Sequence, residues 1–149
     1  MPISREWQIF ISYSSQNDFE VSLLQYAIET LLSKEDVTAW TFQRDQSRSE
    51  TEIAKSLKER VRESVAMLLL VSPETLDAGA TQWMELAYAD AFEVPTFILL
   101  HRIDYQELRR REHGVPPLLL TSQCNPASSW KEVVEEMRGL IKSKERENG

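Results

Sequence analysis

The sequence predicts one α/β domain built on an open, doubly wound, five-stranded parallel sheet with helices on both faces. Three observations lead to this prediction. Strand-like and helix-like segments alternate five times, and the run VAMLLLVS at residues 65–72 is apolar throughout, which is typical of a central strand covered on both faces. The length, 149 residues, suits a single domain. Parallel strands need crossover connections, and right-handed crossovers place the helices on both sides of the sheet.

The first half of the chain predicts two strand–helix units. Residues 7–13, WQIFISY, are aromatic and β-branched and precede the polar loop SSQND, so they predict a strand. A helix should begin at Asp18, a plausible N-cap, because apolar residues recur at steps of three and four. We expect these residues to face the core: Phe19, Leu23, Leu24, Ala27, Ile28, Leu31 and Leu32. Residues 37–42, VTAWTF, predict the second strand, and residues 51–63 predict the next helix.

The second half predicts the remaining strands and a closing helix. After the central strand, PTFILL at residues 95–100 predicts the fourth strand and PPLLLTS at residues 116–122 the fifth. Apolar residues at helical spacing predict a closing helix over residues 129–142. We therefore expect the domain to span residues 1–142, with residues 143–149 as a disordered tail.

Composition excludes several classes of partner. A net charge of -7 and a pI near 4.9 argue against binding to nucleic acid or to anionic membranes, which need clustered basic residues. One cysteine and two histidines cannot form an internal disulfide or a Cys/His zinc site. The sequence shows neither a signal peptide nor an apolar run near the roughly 20 residues that span a bilayer. We expect a cytoplasmic protein without a bound metal.

The usual chemistry of such sheets also lacks its motifs. The sequence has no GxGxxG and no GxxxxGK[ST], and none of its four glycines lies at a strand-to-helix turn, so a loop that cradles phosphates is not predicted. A phosphorelay receiver would need an acceptor aspartate after the third strand, where the sequence reads VSPE. There is no GxSxG motif, and neither His101 nor His113 is spaced as the partner of a nucleophilic serine. No cofactor is predicted.

Glu85 is the residue that most needs an explanation. It is predicted to open a short helix before the fourth strand, on a stripe that is otherwise apolar or aromatic: Tyr88, Ala89 and Phe92. One interpretation is an acid in the first turn, which the helix dipole would stabilise by about 0.3–1 kcal/mol. The other is a catalytic carboxylate, because ligands of open α/β sheets bind beyond the carboxyl ends of the strands.

Four segments together resemble one known family. IFISYSSQND, VTAWTFQRD, EIAKSLKERVRESVAMLLLVSPETL and WMELAYADAFEVPTFILL resemble, in this order, the successive blocks of a Toll/interleukin-1 receptor (TIR) domain of bacterial type. The strongest parts are the strand end FISYS, the block ending in LLLVSP, and a glutamate ten residues before the proline of the fourth strand, here Glu85 and Pro95. The resemblance covers nearly the whole chain and implies the flavodoxin-like TIR fold.

The resemblance implies an enzyme that acts on NAD+. Many TIR domains cleave the nicotinamide–ribose bond, releasing nicotinamide and ADP-ribose or cyclic ADP-ribose, and Glu85 holds the place of the glutamate they require. The resemblance then makes NAD+ a substrate rather than a cofactor and implies that self-association completes the site. It also implies a role in prokaryotic antiphage immunity, with a sensor domain or downstream effector as a further partner. Two alternatives stay open: a non-catalytic adaptor that acts through TIR–TIR contacts, and a deoxyribosyltransferase-like enzyme that uses the same glutamate.

Further site residues follow from the family's strand ends. Tyr13 and Ser14 close the first strand, where the family places a residue against nicotinamide and ribose. Arg44 and Asp45 lie in the loop after the second strand, which in this family flanks the ligand and mediates self-association. Ser72 ends the third strand. Each also has a simpler interpretation: a rim aromatic, a solvated loop pair and a turn.

The sequence departs from the family at two places. NAD+-cleaving members commonly carry a tryptophan four residues before the glutamate, where this chain has Thr81, and Trp83 stands only two residues before Glu85. Residues two apart do not share a helix face, so it is open whether Trp83 forms the aromatic wall of the substrate site. The choice between linear and cyclic product is open for the same reason. The loop after the second strand has Ser49 where a glycine is common.

Overall fold

The computed structural model describes residues 7–41, 50–78, 80–111 and 114–148. Within these ranges five parallel strands form one sheet in the order β2-β1-β3-β4-β5; they are β1 (Trp7–Ser12), β2 (Val37–Thr41), β3 (Ala66–Val71), β4 (Thr96–Leu100) and β5 (Cys124–Pro126). The helices of the same ranges are α1 (Asp18–Leu31), α2 (Glu50–Glu63), α3 (Pro73–Ala78), α4 (Ala80–Ala91), α5 (Tyr105–Arg110), α6 (Pro117–Thr121) and α7 (Trp130–Asn148). The predicted doubly wound parallel sheet is confirmed.

The central strand β3 is buried along its whole length. Its side chains alternate between the two faces of the sheet, since neighbouring residues of a strand point in opposite directions. Leu68 and Leu70 join a core formed with α1 and α7, and Met67, Leu69 and Val71 join a second core formed with α2 and α4. The uninterrupted apolar run therefore serves two cores at once.

The order of the sheet creates a crevice between β1 and β3. From β1 the chain connects first to β2 on one side and then crosses to β3 on the other, so the connections leaving β1 and β3 diverge. In open α/β sheets this divergence leaves a space beyond the carboxyl ends of the two strands, and ligands bind there. Residues that follow Ser12 and Val71 are thus placed to form a site.

The fifth strand lies later in the chain than predicted. Residues 117–121 form α6, and β5 is the three-residue segment Cys124–Pro126, which pairs with β4. Proline suits the first turn of a helix because its fixed φ is already helical and its missing N–H would have no partner there. The pair Pro116 and Pro117 therefore begins a helix despite the three leucines that follow. The closing helix α7 also continues past the predicted end at Lys142.

Helix α1 does not bury all the residues predicted to face the core. Ile28 is fully buried, but Phe19, Leu23 and Leu31 are 73%, 57% and 40% exposed. Apolar residues of this helix occupy two faces, and steps of three and four fit each face equally well, so periodicity alone could not separate them. The outer face also carries Tyr26, which is 73% exposed.

Candidate active site

Glu85 lies in the crevice and not at the start of a helix. Helix α4 begins at Ala80, which places Glu85 in its second turn, and the residue is only 4% exposed. The interpretation as a first-turn acid is therefore wrong. Burying a carboxyl group costs free energy unless hydrogen bonds replace those of water. Ser12, the last residue of β1, provides one such bond: its hydroxyl donates to Glu85 Oε1 at 2.8 Å.

The alternation of β1 explains why Ser12 meets Glu85. Phe10 contributes to the core beneath α2 and α4, and Ser12, two residues later, points to the same face of the sheet. Because β1 ends there, its last inward side chain reaches the crevice instead of the core. A serine at this position supplies a buried hydroxyl, 1% exposed, where an apolar residue would leave the carboxyl group without this donor.

A second set of hydrogen bonds joins the ends of β1 and β3. The Ser72 hydroxyl, just after β3, donates to Asn17 Oδ1 at 2.7 Å, and both residues are fully buried. Asn17 Nδ2 in turn donates to Glu20 Oε2 at 3.0 Å. The backbone N–H of Ser72 donates to the Thr75 hydroxyl at 3.1 Å. These bonds hold the two strand ends in a fixed relation on the floor of the crevice.

Gln82 enters the same crevice from α4. Its Nε2 donates to the backbone oxygen of Leu70 at 2.9 Å. The next carbonyl, that of Val71, accepts from the backbone N–H of His101, which follows β4, so it points towards β4. Because carbonyls alternate in direction along a strand, the Leu70 carbonyl points the other way, towards β1. Gln82 therefore lies between the ends of β1 and β3, one helical turn before Glu85 and on the same helix face.

Tyr13 and Ser14 lie at the end of β1, as predicted from the sequence. Burial raises the pKa of the Tyr13 hydroxyl, the neighbouring Asp18 carboxylate raises this pKa further, and the charge of Glu85 adds a smaller contribution in the same direction. The Tyr13 ring packs against the core formed with α1 and α7, on the face of the sheet opposite to that on which Ser12 meets Glu85. The Ser14 hydroxyl accepts from the backbone N–H of Gln16 at 3.4 Å and so caps the short turn that leads into α1.

The structure gathers only part of the predicted site. Tyr13, Ser14, Ser72 and Glu85 all belong to the carboxyl-terminal edge of β1 and β3 or to the helix above it. Trp83 instead packs against the core between the sheet and α2 and α4, with Leu86 one turn later. The predicted residues at positions 44 and 45 lie outside the described residues, as does the serine at position 49.

Sequence reasoning missed three residues of the crevice: Ser12, Asn17 and Gln82. Ser12 and Asn17 belong to FISYSSQND, the segment quoted for the family resemblance, but nothing in that segment shows which of its polar residues are buried. Gln82 had one available signal, its spacing of three residues from Glu85, which places both on one helix face.

An ion pair at the same edge gives a prediction for pH titration. Arg102 Nη2 lies 2.6 and 2.7 Å from the two carboxylate oxygens of Glu74, and this contact lowers the pKa of Glu74 from 4.5 to about 2. Because the folded pKa lies below the unfolded one, the pair stabilises the fold fully above pH 4.5 and ever less as the pH falls towards 2. In Arg102→Gln, the Glu74 carboxyl resonance should titrate at a clearly higher pH than about 2, because the largest cause of the lowered pKa is removed, and NMR measures this change.

Arg109→Gln is the control for this titration, since it removes an equal charge from an arginine outside the pair. An unchanged Glu74 titration in Arg102→Gln would show that the contact does not control the carboxyl group.

The fold and the crevice define a class of protein. It is a flavodoxin-like α/β domain whose crevice holds a buried carboxyl group, without a glycine-rich loop for phosphates. Within this class the chain belongs to the TIR domain family, because the family model described as "TIR domain" matches residues 9–113. That family includes NAD+-cleaving enzymes and non-catalytic adaptors.

Solved structures of two other proteins are similar to this fold. A 2-desoxiribosyltransferase from Leishmania mexicana is 15% identical with a TM-score of 0.62, over 87% of this chain and 97% of that one. The TIR domains of the activated Roq1 resistosome, which directly recognises the pathogen effector XopQ, are 12% identical with a TM-score of 0.50, over 93% and 82%. No curated protein matches the sequence significantly. At these identities the likeness concerns the fold alone.

Two further properties of the described ranges concern membranes and metals. None of their helices has the length and apolar character needed to cross a membrane. In the same ranges, no group of three or more histidine, cysteine, aspartate or glutamate side chains is arranged to hold a metal ion.

Proposed function

We propose that this TIR domain cleaves NAD+ at the nicotinamide–ribose bond, releasing nicotinamide and either ADP-ribose or cyclic ADP-ribose. The observation that carries the proposal is the position of Glu85: a buried carboxyl group, bonded to Ser12, in the crevice where this type of sheet binds ligands. Acidic side chains are mostly exposed because burial of a carboxyl group is costly, so a buried one where this type of sheet binds ligands favours a role in the site.

One carboxylate is enough for this reaction. The bond between the ribose C1′ and the pyridinium nitrogen breaks with its electron pair going to nitrogen, so nicotinamide leaves as a neutral molecule and needs no acid. Positive charge develops on the ribose, and the Glu85 carboxylate opposes it. Water then adds to C1′ and loses a proton, which gives ADP-ribose; attack by a nitrogen of the adenine ring gives the cyclic product. A preorganised group of this kind lowers the activation free energy by about 3 kcal/mol.

Neighbouring residues have supporting roles in the proposal. The Ser12 hydroxyl donates to one oxygen of Glu85 and so restricts the orientation of the carboxylate. Tyr13, half-buried directly after β1, would pack against nicotinamide or ribose. Ser14 and Ser72 would line the crevice at the ends of β1 and β3, where both are already held by hydrogen bonds.

Self-association belongs to the same proposal. Arg44 and Asp45 follow β2 in the sequence, and in this proposal they contact both the substrate and a second copy of the chain. Activity would then rise with protein concentration. In the cell, depletion of NAD+ or release of a cyclic nucleotide signal would serve a prokaryotic immune response to phage.

A second candidate function is a TIR adaptor without catalysis. The outer face of α1 supports it, because Phe19, Leu23 and Tyr26 are all more than half exposed on one side of the helix. Exposed apolar patches of this kind are typical of surfaces that bind other proteins. The two functions differ in one respect that is simple to measure, the consumption of NAD+.

The test is NAD+ turnover by the whole chain at high protein concentration, with and without a crowding agent. Mass and retention of the products identify nicotinamide, ADP-ribose and cyclic ADP-ribose. We expect nicotinamide in equal amount to one of the two ADP-ribose products, at a rate that rises more than linearly with protein concentration. If no nicotinamide is released under any condition, the adaptor function takes its place. Base exchange on a 2′-deoxynucleoside without NAD+ turnover would instead support a deoxyribosyltransferase.

A further inference from the structure

Gln82 has a buried oxygen that the fold does not use. The residue is 2% exposed, and among the described residues its Oε1 has no hydrogen-bond partner. The orientation of the amide is fixed, because Nε2 must face the Leu70 carbonyl, an acceptor that the amide oxygen could not approach. A buried amide oxygen without a donor is costly, so a partner for it is expected from outside the chain, either a water molecule or a ligand.

The free oxygen lies in the crevice that contains Glu85. Nε2 of the same amide is bonded to the carbonyl that points from β3 towards β1, and Oε1 shares the plane of that amide. Gln82 and Glu85 are three residues apart on α4, so both project from one helix face into the space beyond the strand ends. An acceptor and a catalytic carboxylate are thus one helical turn apart in one site.

We propose that Gln82 Oε1 accepts a hydrogen bond from the carboxamide NH2 of the nicotinamide ring and makes the site selective for an amide over a carboxylate. This inference rests on the proposed NAD+ cleavage. A primary amide offers the donor that Oε1 lacks, whereas the carboxylate of a nicotinic acid ring places oxygen against oxygen. Oε1 is covered in this structure, so binding of the ring has to displace the side chains that cover it.

Selectivity of this type is large when the site contains a dedicated polar partner. Sites that hydrogen-bond a substrate group reject analogues without it by far more than apolar pockets do, because the buried protein group is then left unpaired. Glu85 also disfavours a carboxylate through charge repulsion, so the two contributions have to be separated. Gln82→Leu removes the amide at similar volume, and Glu85→Gln removes the charge.

The experiment compares kcat/KM for NAD+ with kcat/KM for nicotinic acid adenine dinucleotide. We expect the unmodified chain to prefer NAD+ by about 100-fold or more and Gln82→Leu to reduce this preference by at least about 10-fold. Thr75→Val is the comparison variant: the Thr75 hydroxyl also donates to the Leu70 carbonyl, at 3.4 Å, and accepts from the Ser72 N–H, so its loss disturbs the crevice floor without removing an amide and should lower kcat/KM equally for the two substrates. Thr75→Val should leave the preference unchanged; an equal loss in both variants would reduce Gln82 to a structural anchor and overturn the inference.

A binding measurement separates this inference from the proposed function. In Glu85→Gln, which has no repelling charge, calorimetry should show nicotinamide binding at least about 10-fold tighter than nicotinate, and Gln82→Leu added to it should remove the difference. If the two ligands bind in this way but the unmodified chain does not turn over NAD+, the proposed function is rejected and the recognition site is kept. Normal turnover with equal binding of the two ligands would reject the recognition by Gln82 and keep the proposed function.

Discussion

Glu85→Gln should lower the rate of NAD+ cleavage by about 100- to 1000-fold, which is the loss seen when one preorganised charge-stabilising group is removed from an active site. The substitution keeps the shape of the side chain and lets the Ser12 hydroxyl donate to the amide oxygen, so the fold should be retained. What disappears is the negative charge opposite the developing positive charge on the ribose. The measurement is kcat from nicotinamide release at saturating NAD+, with thermal unfolding of both proteins recorded beside it.

Asp90→Asn is the matched control for this variant. Asp90 lies on the same helix, is exposed, and loses the same charge on substitution, so its kcat should stay within about twofold of that of the unmodified chain. If Glu85→Gln turned over NAD+ as fast as Asp90→Asn, the buried carboxyl group would have no part in catalysis. If both variants lost activity, long-range electrostatics and not the position of Glu85 would be responsible.

The largest effect on stability is expected at Phe10. This residue is fully buried under α2 and α4, and its ring centroid lies 5.1 Å from that of Trp40. Phe10→Ala should lower the free energy of unfolding by about 3–5 kcal/mol, because it removes a large apolar side chain and leaves a cavity that the surrounding strands cannot close. Denaturant unfolding followed by Trp fluorescence and circular dichroism measures the change.

Phe19→Ala removes the same side chain from the outer face of α1. Because Phe19 is 73% exposed, we expect the free energy of unfolding to change by no more than about 0.5 kcal/mol. The pair therefore tests the division of α1 into an inner and an outer face. A loss at Phe19 as large as that at Phe10 would mean that the ring is buried in solution, as the sequence had predicted.

The architecture could be predicted because its main signals are local. An apolar strand such as β3 carries the same signal wherever it lies in the chain, and the alternation of elements then restricts the topology. The fifth strand could not be predicted in the same way. Cys124–Pro126 is too short to show a pattern, and its place in the sheet is set by pairing with β4, a contact that sequence periodicity does not report.

The site could be predicted only where a family pattern marks one position. Glu85 was found because the spacing to Pro95 resembles the TIR pattern, but its burial depends on where α4 begins. Helix starts are among the least certain features of a sequence-based prediction. Ser12 and Gln82 needed the three-dimensional structure, because each is recognised by a partner distant in the sequence: Glu85 for Ser12 and the Leu70 carbonyl for Gln82.

The hydrogen bond between Ser12 and Glu85 also affects which substitutions the domain can accept without loss of stability. A buried carboxyl group with a hydroxyl donor lowers the stability of a fold compared with a well-packed apolar pair of the same volume. Selection for thermal stability alone would therefore replace this pair, because residues that serve activity are commonly less stable than their best alternatives. Burial of β3 and of the two cores beside it offsets the cost of this acid. The stability of the sheet therefore limits how many polar groups can be buried in the crevice.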